Sequence, residues 1–477
     1  MNSLLEEIKT LQITSATLEP TEAIRTSLLN KVNALSNDFI NTISSTPSYS
    51  NRLVDKDLDF KKEKQSIETI LELYKSEVAA KGINAASGGH LGYIPGGGIY
   101  TSSLGDYLAD VTNEYAGSKF ASPGAVAIEN ACIDWMKSVF NFPSTAVGNL
   151  TSGGSIANLI ALTAARDKRA VKGAAIERSV IYLSEQAHHC ILKALRIIGL
   201  GDIIIRQVAL DENSRIMPAA LNAAIKEDKE NGLIPAIVIA SAGTTDTGAV
   251  DPLYDIGQIC QSNDLWYHID GAYGGFFILV DKIKNKFEGI QMADSLVVDP
   301  HKGLFLPYGI GAVLVKDQEA VMHSHYYMAN YMQDTLDESQ VNSPMDLSPE
   351  LTKHFRGMRM WLPLQLHGVE PFSACLEEKL LLVEYFRNEI GKLGFKVGPN
   401  PDLSVSYFWY PKEQMQNEYN QKLMNLMMED GELFFSSTTI KKKFVIRVAV
   451  LSFRTKIDEI DRAIKMIKRV MQKLDNH

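Results

Sequence analysis

Cysteine is scarce in this chain. There are four in 477 residues, Cys132, Cys190, Cys260 and Cys375, with no CxxC pair and no metal-ligand spacing. That excludes a disulfide framework and a cysteine zinc site, and it fits reduced thiols in a cytoplasmic protein. No metal is expected. An excess of basic charge is missing as well. The formal net charge is -9 and the two signs are interspersed, so no footprint for nucleic acid exists. No apolar run approaches the roughly 20 residues that span a bilayer, so no membrane partner is expected. The opening MNSLLEEIKTLQ lacks a basic stretch followed by an apolar one, so no signal peptide is expected. Internal repeats and low-complexity tracts are also lacking. With 45% hydrophobic and 22% charged residues, the composition is that of an ordinary globular protein.

The chain is too long for one hydrophobic core, and its patterning changes twice. Residues 1–85 read as helical. TEAIRTSLLNKVNALSNDFINTI and QSIETILELYKSEVAAKG carry apolar residues at helical spacing, with the polar break STPSYSNR between them. These helices cannot bury their apolar faces on one another, so they need the main domain or a second subunit. Residues 86–365 read as a large α/β domain. Short apolar runs, RSVIYLSE, DIIIRQVAL, PAIVIASAG, LWYHIDG, SLVVDP and GIGAVLV, alternate with amphipathic stretches. That pattern implies a buried, mostly parallel sheet flanked by helices. Residues 366–477 read as a small α+β domain with the order helix, strand, strand, helix.

Ligands on such sheets bind at the carboxyl ends of the strands, and the unusual residues fall there. TSGGSIANL is a glycine-rich loop opening a helix, a cradle for a phosphate. Asp270 ends the strand LWYHID, Lys302 follows SLVVDPH, and His188 follows RSVIYLSE. Each has a plain explanation alone: a helix cap, a loop-entry carboxylate, a solvated lysine, a satisfied histidine. Together they match one cofactor, pyridoxal 5′-phosphate. Its aldehyde needs a lysine, its pyridine nitrogen a carboxylate and its phosphate a helix N-terminus, while an imidazole can stack on its ring.

On these residues the sequence resembles the group II pyridoxal phosphate-dependent amino-acid decarboxylases, which include aromatic-amino-acid, glutamate and histidine decarboxylases and have the fold-type-I, aspartate-aminotransferase-like architecture. The motifs that carry the resemblance are GGHLGYIPGGG, ASPGAVAIE, TSGGSIANLIALTAAR, SEQAHHC, GTTDTGAVDP, HIDGAYGG, DPHKG and FRGMRMWLPLQLHG. The resemblance implies Lys302 as the Schiff-base lysine, Asp270 as partner of the pyridine nitrogen and His188 stacked on the ring. It implies Gly154 and Ser155 on the phosphate with Asp299 and His301 near it, Thr245 close to the ring and Ala272 under its other face. Tyr93, Ile94 and Pro95 match the strip lining the substrate pocket. It also implies a homodimer with sites at the interface, clasped by the N-terminal helices, and an amino-acid substrate decarboxylated to the amine and CO2.

The chain departs from the family pattern in one segment. Aromatic-amino-acid members carry a loop Tyr that protonates the carbanionic carbon, and the alignment puts Pro344 there. Tyr327 and Tyr331 are the nearby alternatives in the loop 326–349, which is expected to be mobile. In relatives that replace this Tyr, the carbanion reacts with oxygen and gives an aldehyde. A decarboxylating aldehyde synthase is therefore one alternative. A carbon–carbon lyase acting on a phosphorylated amino alcohol is another, and an inactive regulatory homologue is the non-enzymatic one. The strip YIP suits an apolar or aromatic substrate. Lys119 borders the pocket in this reading and could pair with an acidic one, while Phe120 would narrow it.

Overall fold

The computed structural model describes residues 2–326 and 343–475. Two short strands, β1 (Tyr49–Ser50) and β2 (Gly82–Ile83), pair antiparallel near the start. The large sheet follows, with β3 (Val147–Thr151), β4 (Ser179–Leu183), β5 (Ile204–Gln207), β6 (Ile234–Ser241), β7 (Trp266–Asp270), β8 (Ser295–Val298) and β9 (Gly311–Val315). Its spatial order is β3-β9-β8-β7-β6-β4-β5. Strands β8, β7, β6, β4 and β5 run parallel, and β9 runs antiparallel between β8 and β3. The mostly parallel α/β sheet expected from the apolar runs is present. Strand β3, VGNLT, was not expected, because Gly and Asn are poor strand formers.

Both faces of the sheet are covered. One packs Tyr267, Ile269, Phe276 and Leu296. The other packs Ile160, Ile237, Trp266 and Val297 beneath the helix Gly154–Lys168. Strand alternation explains the split along β7: Trp266, His268 and Asp270 point to one face, Tyr267 and Ile269 to the other.

A second sheet closes the chain. It comprises β10 (Lys396–Val397), β11 (Val405–Trp409), β12 (Ser436–Ile440) and β13 (Lys443–Ala449), in the order β10-β11-β13-β12 and antiparallel throughout. Helices Glu370–Lys392, Gln416–Asp430 and Ile457–Asp475 join it around a core of Phe386, Phe408, Phe435, Ile446 and Met466. The helix Gln416–Asp430 and strands β10 and β12 add to the expected helix, strand, strand, helix. Leu91 also joins this core. Its N–H donates to the Phe434 carbonyl at 2.7 Å and its carbonyl accepts from the Ala449 N–H at 2.7 Å.

The first helices, Asn2–Ser15 and Glu22–Thr42, contrast with the two sheet domains. Glu22–Thr42 has no buried residue, and Leu11, Ile13 and Leu18 are 62%, 77% and 85% exposed. Among the described residues no helix is long and apolar enough to cross a membrane.

Candidate active site

The parallel strands deliver their following residues to one edge of the sheet. Lys302 sits on the short helical turn Pro300–Gly303 just after β8, with Asp299 capping the turn and Pro300 in the first helical position. Asp270 is the last residue of β7. His188 lies between β4 and the helix Cys190–Ile197. Gly154 and Ser155 begin the helix Gly154–Lys168 after β3. The Ile156 and Ala157 amides both reach back to the Gly153 carbonyl at 3.1 Å. The Gly154 and Ser155 amides, one position earlier, are among the donors that a helix start cannot satisfy internally.

These residues surround one cavity of about 390 Å³. Gly154, Ser155, His188, Thr245, Asp270, Ala272, Asp299, His301 and Lys302 all line it. The size suits a small cofactor. Lys302 Nζ lies 3.1 Å from Asp299 Oδ2, and His301 Nε2 lies 3.6 Å from the same oxygen. His301 Nδ1 is tied to the Ile310 carbonyl. Burial pulls the Lys302 amine down, but Asp299 and Asp270 more than offset it and hold the ammonium above the ordinary lysine value. Burial lowers the His188 pKa, Asp270 opposes this, and His189 and Lys302 add to it. His188 Nδ1 accepts the Cys190 N–H at 3.3 Å, which leaves the proton of the neutral ring on Nε2.

Pyridoxal phosphate fits this donor set. A lysine amine and a carboxylate share the cavity with open helix-start amides. Backbone approach is close at the glycines: Gly153 has φ 152°, and a Cβ on Gly154 would lie 3.0 Å from Asp299 Oδ2 and 3.3 Å from the Ala272 Cβ. Asp299 Oδ1 is buried without a hydrogen-bond partner. A carboxylate has the wrong sign for a phosphate ligand, and the contact Asp299 makes here is with the Lys302 ammonium.

The strip Tyr93, Ile94, Pro95 does not line the cavity itself. It runs beside it, because a side chain at Gly96 would collide with the His301 carbonyl. Tyr93 is 56% exposed, has φ 48° and packs on Phe434 at 5.5 Å between ring centroids. Lys119 and Phe120 are likewise outside the lining. Pro344 is buried in the turn Pro344–Leu347, where its carbonyl accepts from Asn149 Nδ2 at 2.6 Å. Tyr327 and Tyr331 lie outside the described residues.

Several lining residues escaped sequence reasoning, among them Asn158, Gln186, Cys190 and Tyr273. Asn158 carried a usable signal, since an asparagine inside a helix, on the face that must be buried, runs against propensity. Arg447 was missed too. From β13 it donates to the Thr245 carbonyl and, at 3.0 Å, to the Asp246 carbonyl, fixing the turn that borders the cavity. Nothing short-range in the sequence announces that contact.

Comparison with known proteins agrees with this chemistry. Residues 47–410 match the model of the pyridoxal-dependent decarboxylase conserved domain. An aromatic-L-amino-acid decarboxylase of Bacillus atrophaeus is 35% identical over 393 residues, 80% of this chain and 81% of the relative. Tryptophan decarboxylase 2 of Oryza sativa subsp. japonica is 30% identical over 397 residues, 80% of each chain. A crystal structure of Oryza sativa TDC with PLP and tryptamine superposes with a TM-score of 0.90 at 23% identity, covering 96% of this chain and 99% of that one.

Proposed function

Because the chain belongs to the pyridoxal-dependent decarboxylase family, we propose a division of labour among its own residues and an aromatic L-amino acid as its substrate. The protein is a pyridoxal phosphate-dependent amino-acid decarboxylase, a carboxy-lyase. When bound, the cofactor supplies an aldehyde that takes up amines and a protonated pyridine that accepts the electron pair left on Cα as CO2 departs.

In this reading Lys302 Nζ would hold the cofactor through its aldehyde and, as a free amine, would hold or deliver a proton. Asp270 keeps the pyridine nitrogen protonated, since a nearby carboxylate favours the cationic form. The Gly154 and Ser155 amides would hold the phosphate, and His188, Ala272 and Thr245, which line the same cavity, would hold the ring. Asp299 serves as counter-ion to the Lys302 ammonium, and His301, fixed by the Ile310 carbonyl, packs beside that pair. Tyr93, Ile94 and Pro95 form an apolar wall for the substrate side chain.

The observation that carries this reading is convergence. Residues from segments as far apart as 154 and 302 ring one cavity, with an ammonium among carboxylates and a helix start in the same lining. The substrate class is supported by the aromatic strip and by the names of the two relatives.

The assembly proposed is a homodimer with its sites at the interface. Residues 1–85 would be its clasping segment, 86–365 the cofactor-binding domain and 366–477 a small domain. The support is the exposed apolar surface of the first helices. A cytoplasmic location is proposed on the four free thiols.

The test offers tryptophan, tyrosine, phenylalanine, glutamate and lysine to cofactor-loaded protein and records amine, aldehyde and CO2 by mass spectrometry. Amine with matching CO2 from the aromatic acids is expected. Turnover of glutamate alone would overturn the substrate class. Aldehyde with oxygen uptake would show that the missing loop Tyr has redirected the carbanion.

A further inference from the structure

We propose that Asn158, His268 and Ser295 are positioning residues. They form a one-way hydrogen-bond chain that starts at Trp266 and ends on the Asp270 carboxylate, holding it oriented and fixed at the cavity wall. The proposal rests on the assignment of Asp270 to the pyridine nitrogen.

Four contacts make the chain. Trp266 Nε1 donates to Ser295 Oγ at 2.9 Å. Ser295 Oγ lies 2.8 Å from His268 Nδ1. His268 Nε2 lies 2.7 Å from Asn158 Oδ1. Asn158 Nδ2 lies 3.5 Å from Asp270 Oδ2 and 3.6 Å from Cys190 Sγ. All these residues are buried, with Asn158, His268 and Ser295 at 0% exposure.

The direction follows from elementary valence. Indole N–H only donates and an ionised carboxylate only accepts, so both ends are set. Asn158 must turn its amide nitrogen to Asp270, which leaves its carbonyl for His268. That carbonyl only accepts, so His268 carries its proton on Nε2 and accepts at Nδ1. Ser295 Oγ then accepts from the indole N–H and donates its hydroxyl hydrogen to His268 Nδ1. Reversing any member puts two acceptors or two donors face to face.

The fold supplies the geometry. Trp266, His268 and Asp270 alternate onto one face of β7. Ser295 is the register partner of His268 on β8. Asn158 comes from the helix that lies over this face, whose first turn carries Gly154 and Ser155. Burial keeps His268 neutral, lowering its pKa to about 4, so the ring is free to hold one tautomer. Aligned hydrogen bonds in a low-dielectric interior polarise one another, and each adds to the field at the terminal carboxylate.

Two kinds of readout test this. On cofactor-free protein, 15N NMR of the imidazole should show His268 as the Nε2–H tautomer from pH 5 to 8, and Asn158→Ala, which removes the carbonyl that Nε2–H donates to, should release it to a mixture. On loaded protein, Asn158→Ala should raise the cofactor Kd about 10–100-fold, the size of effect seen when a metal-ligating residue loses its hydrogen-bond partner. It should lower kcat by about tenfold while leaving KM within about twofold. His268→Leu should act in the same direction, and His268→Gln, whose amide can still donate to Asn158, should recover most of the loss. In an Asp270→Ala background, Asn158→Ala should add nothing further. An Nδ1–H tautomer, a folded Asn158→Ala with unchanged Kd and kcat, or an undiminished effect in the Asp270→Ala background would each overturn the proposal. Should His268→Leu fail to fold, the tautomer of His268 in the wild-type protein still decides. Full activity of Asp270→Ala would remove the parent assignment instead, with the tautomer lock unaffected.

Discussion

The first helices and the strand-end cavity break the same rule in opposite directions. Along the helices, apolar side chains such as Leu11, Ile13 and Leu18 stand in the open. Around the cavity, Asp270, Asp299, His268 and His301 are buried. Uncovered apolar surface points outward, to a partner that would cover it. Covered charge points inward, to chemistry or to a network that compensates it. The two anomalies therefore ask for different experiments.

The largest effect is expected at the buried end. Lys302→Ala should cut decarboxylation on the order of a thousandfold or more. Its thermal midpoint should fall less than that of Lys353→Met, as checked by calorimetry, because water in the cavity can take the place of the lost ammonium beside Asp299. Lys353 sharpens the contrast, since it is charged, fully buried and outside the cavity lining. It pairs with Glu129 at 2.8 Å and donates to Asn149 Oδ1 at 2.6 Å. Glu129 also accepts the Arg356 and Gly357 amides at 3.1 and 3.2 Å. Lys353→Met leaves that carboxylate uncompensated and should cost about 3–5 kcal/mol in denaturant unfolding. Adding Glu129→Gln should recover part of the loss.

At the open end, Ile13→Glu with Leu18→Glu should shift sedimentation from a dimer toward single chains at micromolar concentration. Unfolding stability of the remaining core should change by no more than about 0.5 kcal/mol. An unchanged sedimentation coefficient would mean that no second copy covers these helices.

The smallest effect concerns His90, which is 2% exposed and sits among Tyr93 and Phe434. Both ring nitrogens lack a hydrogen-bond partner of good geometry. Burial lowers its pKa to about 4, against a weaker opposing pull from the Ala85 carbonyl. Its folded pKa lies below the unfolded value near 6.5, so the unfolded chain takes up the proton first. Stability is lost as pH falls from about 6.5 toward 4. His90→Phe should stabilise by about 1 kcal/mol at pH 7 and flatten the acid side of the profile, measured by urea titration at several pH values.

What sequence could show follows the same division. The parallel strands were legible because a strand buried on both faces must be apolar throughout, as PAIVIASAG is. Strand β3 was hidden by Gly148 and Asn149, and the helix Gln416–Asp430 by the polar residues Gln416, Asn417, Glu418, Asn420 and Gln421 that fill its first half. In the cavity, Lys302, Asp270 and His188 stood out because each breaks a local pattern at a strand end. His268 stayed silent, and the one signal at Asn158, an asparagine on a buried helix face, did not name its partner. They act on each other across 110 residues of chain, and only the sheet register and the overlying helix bring them together. Arg447 reaches the Thr245 carbonyl across 202 residues for the same reason.

The central claim, that Lys302 is the residue holding the cofactor, has a direct test. Cofactor-loaded protein is reduced with sodium borohydride, digested, and mapped by tandem mass spectrometry. The account predicts the reduced pyridoxyl adduct on Lys302, in the peptide containing DPHKG, at close to one per chain. An adduct on another lysine, or none in protein shown to carry the cofactor, would contradict it.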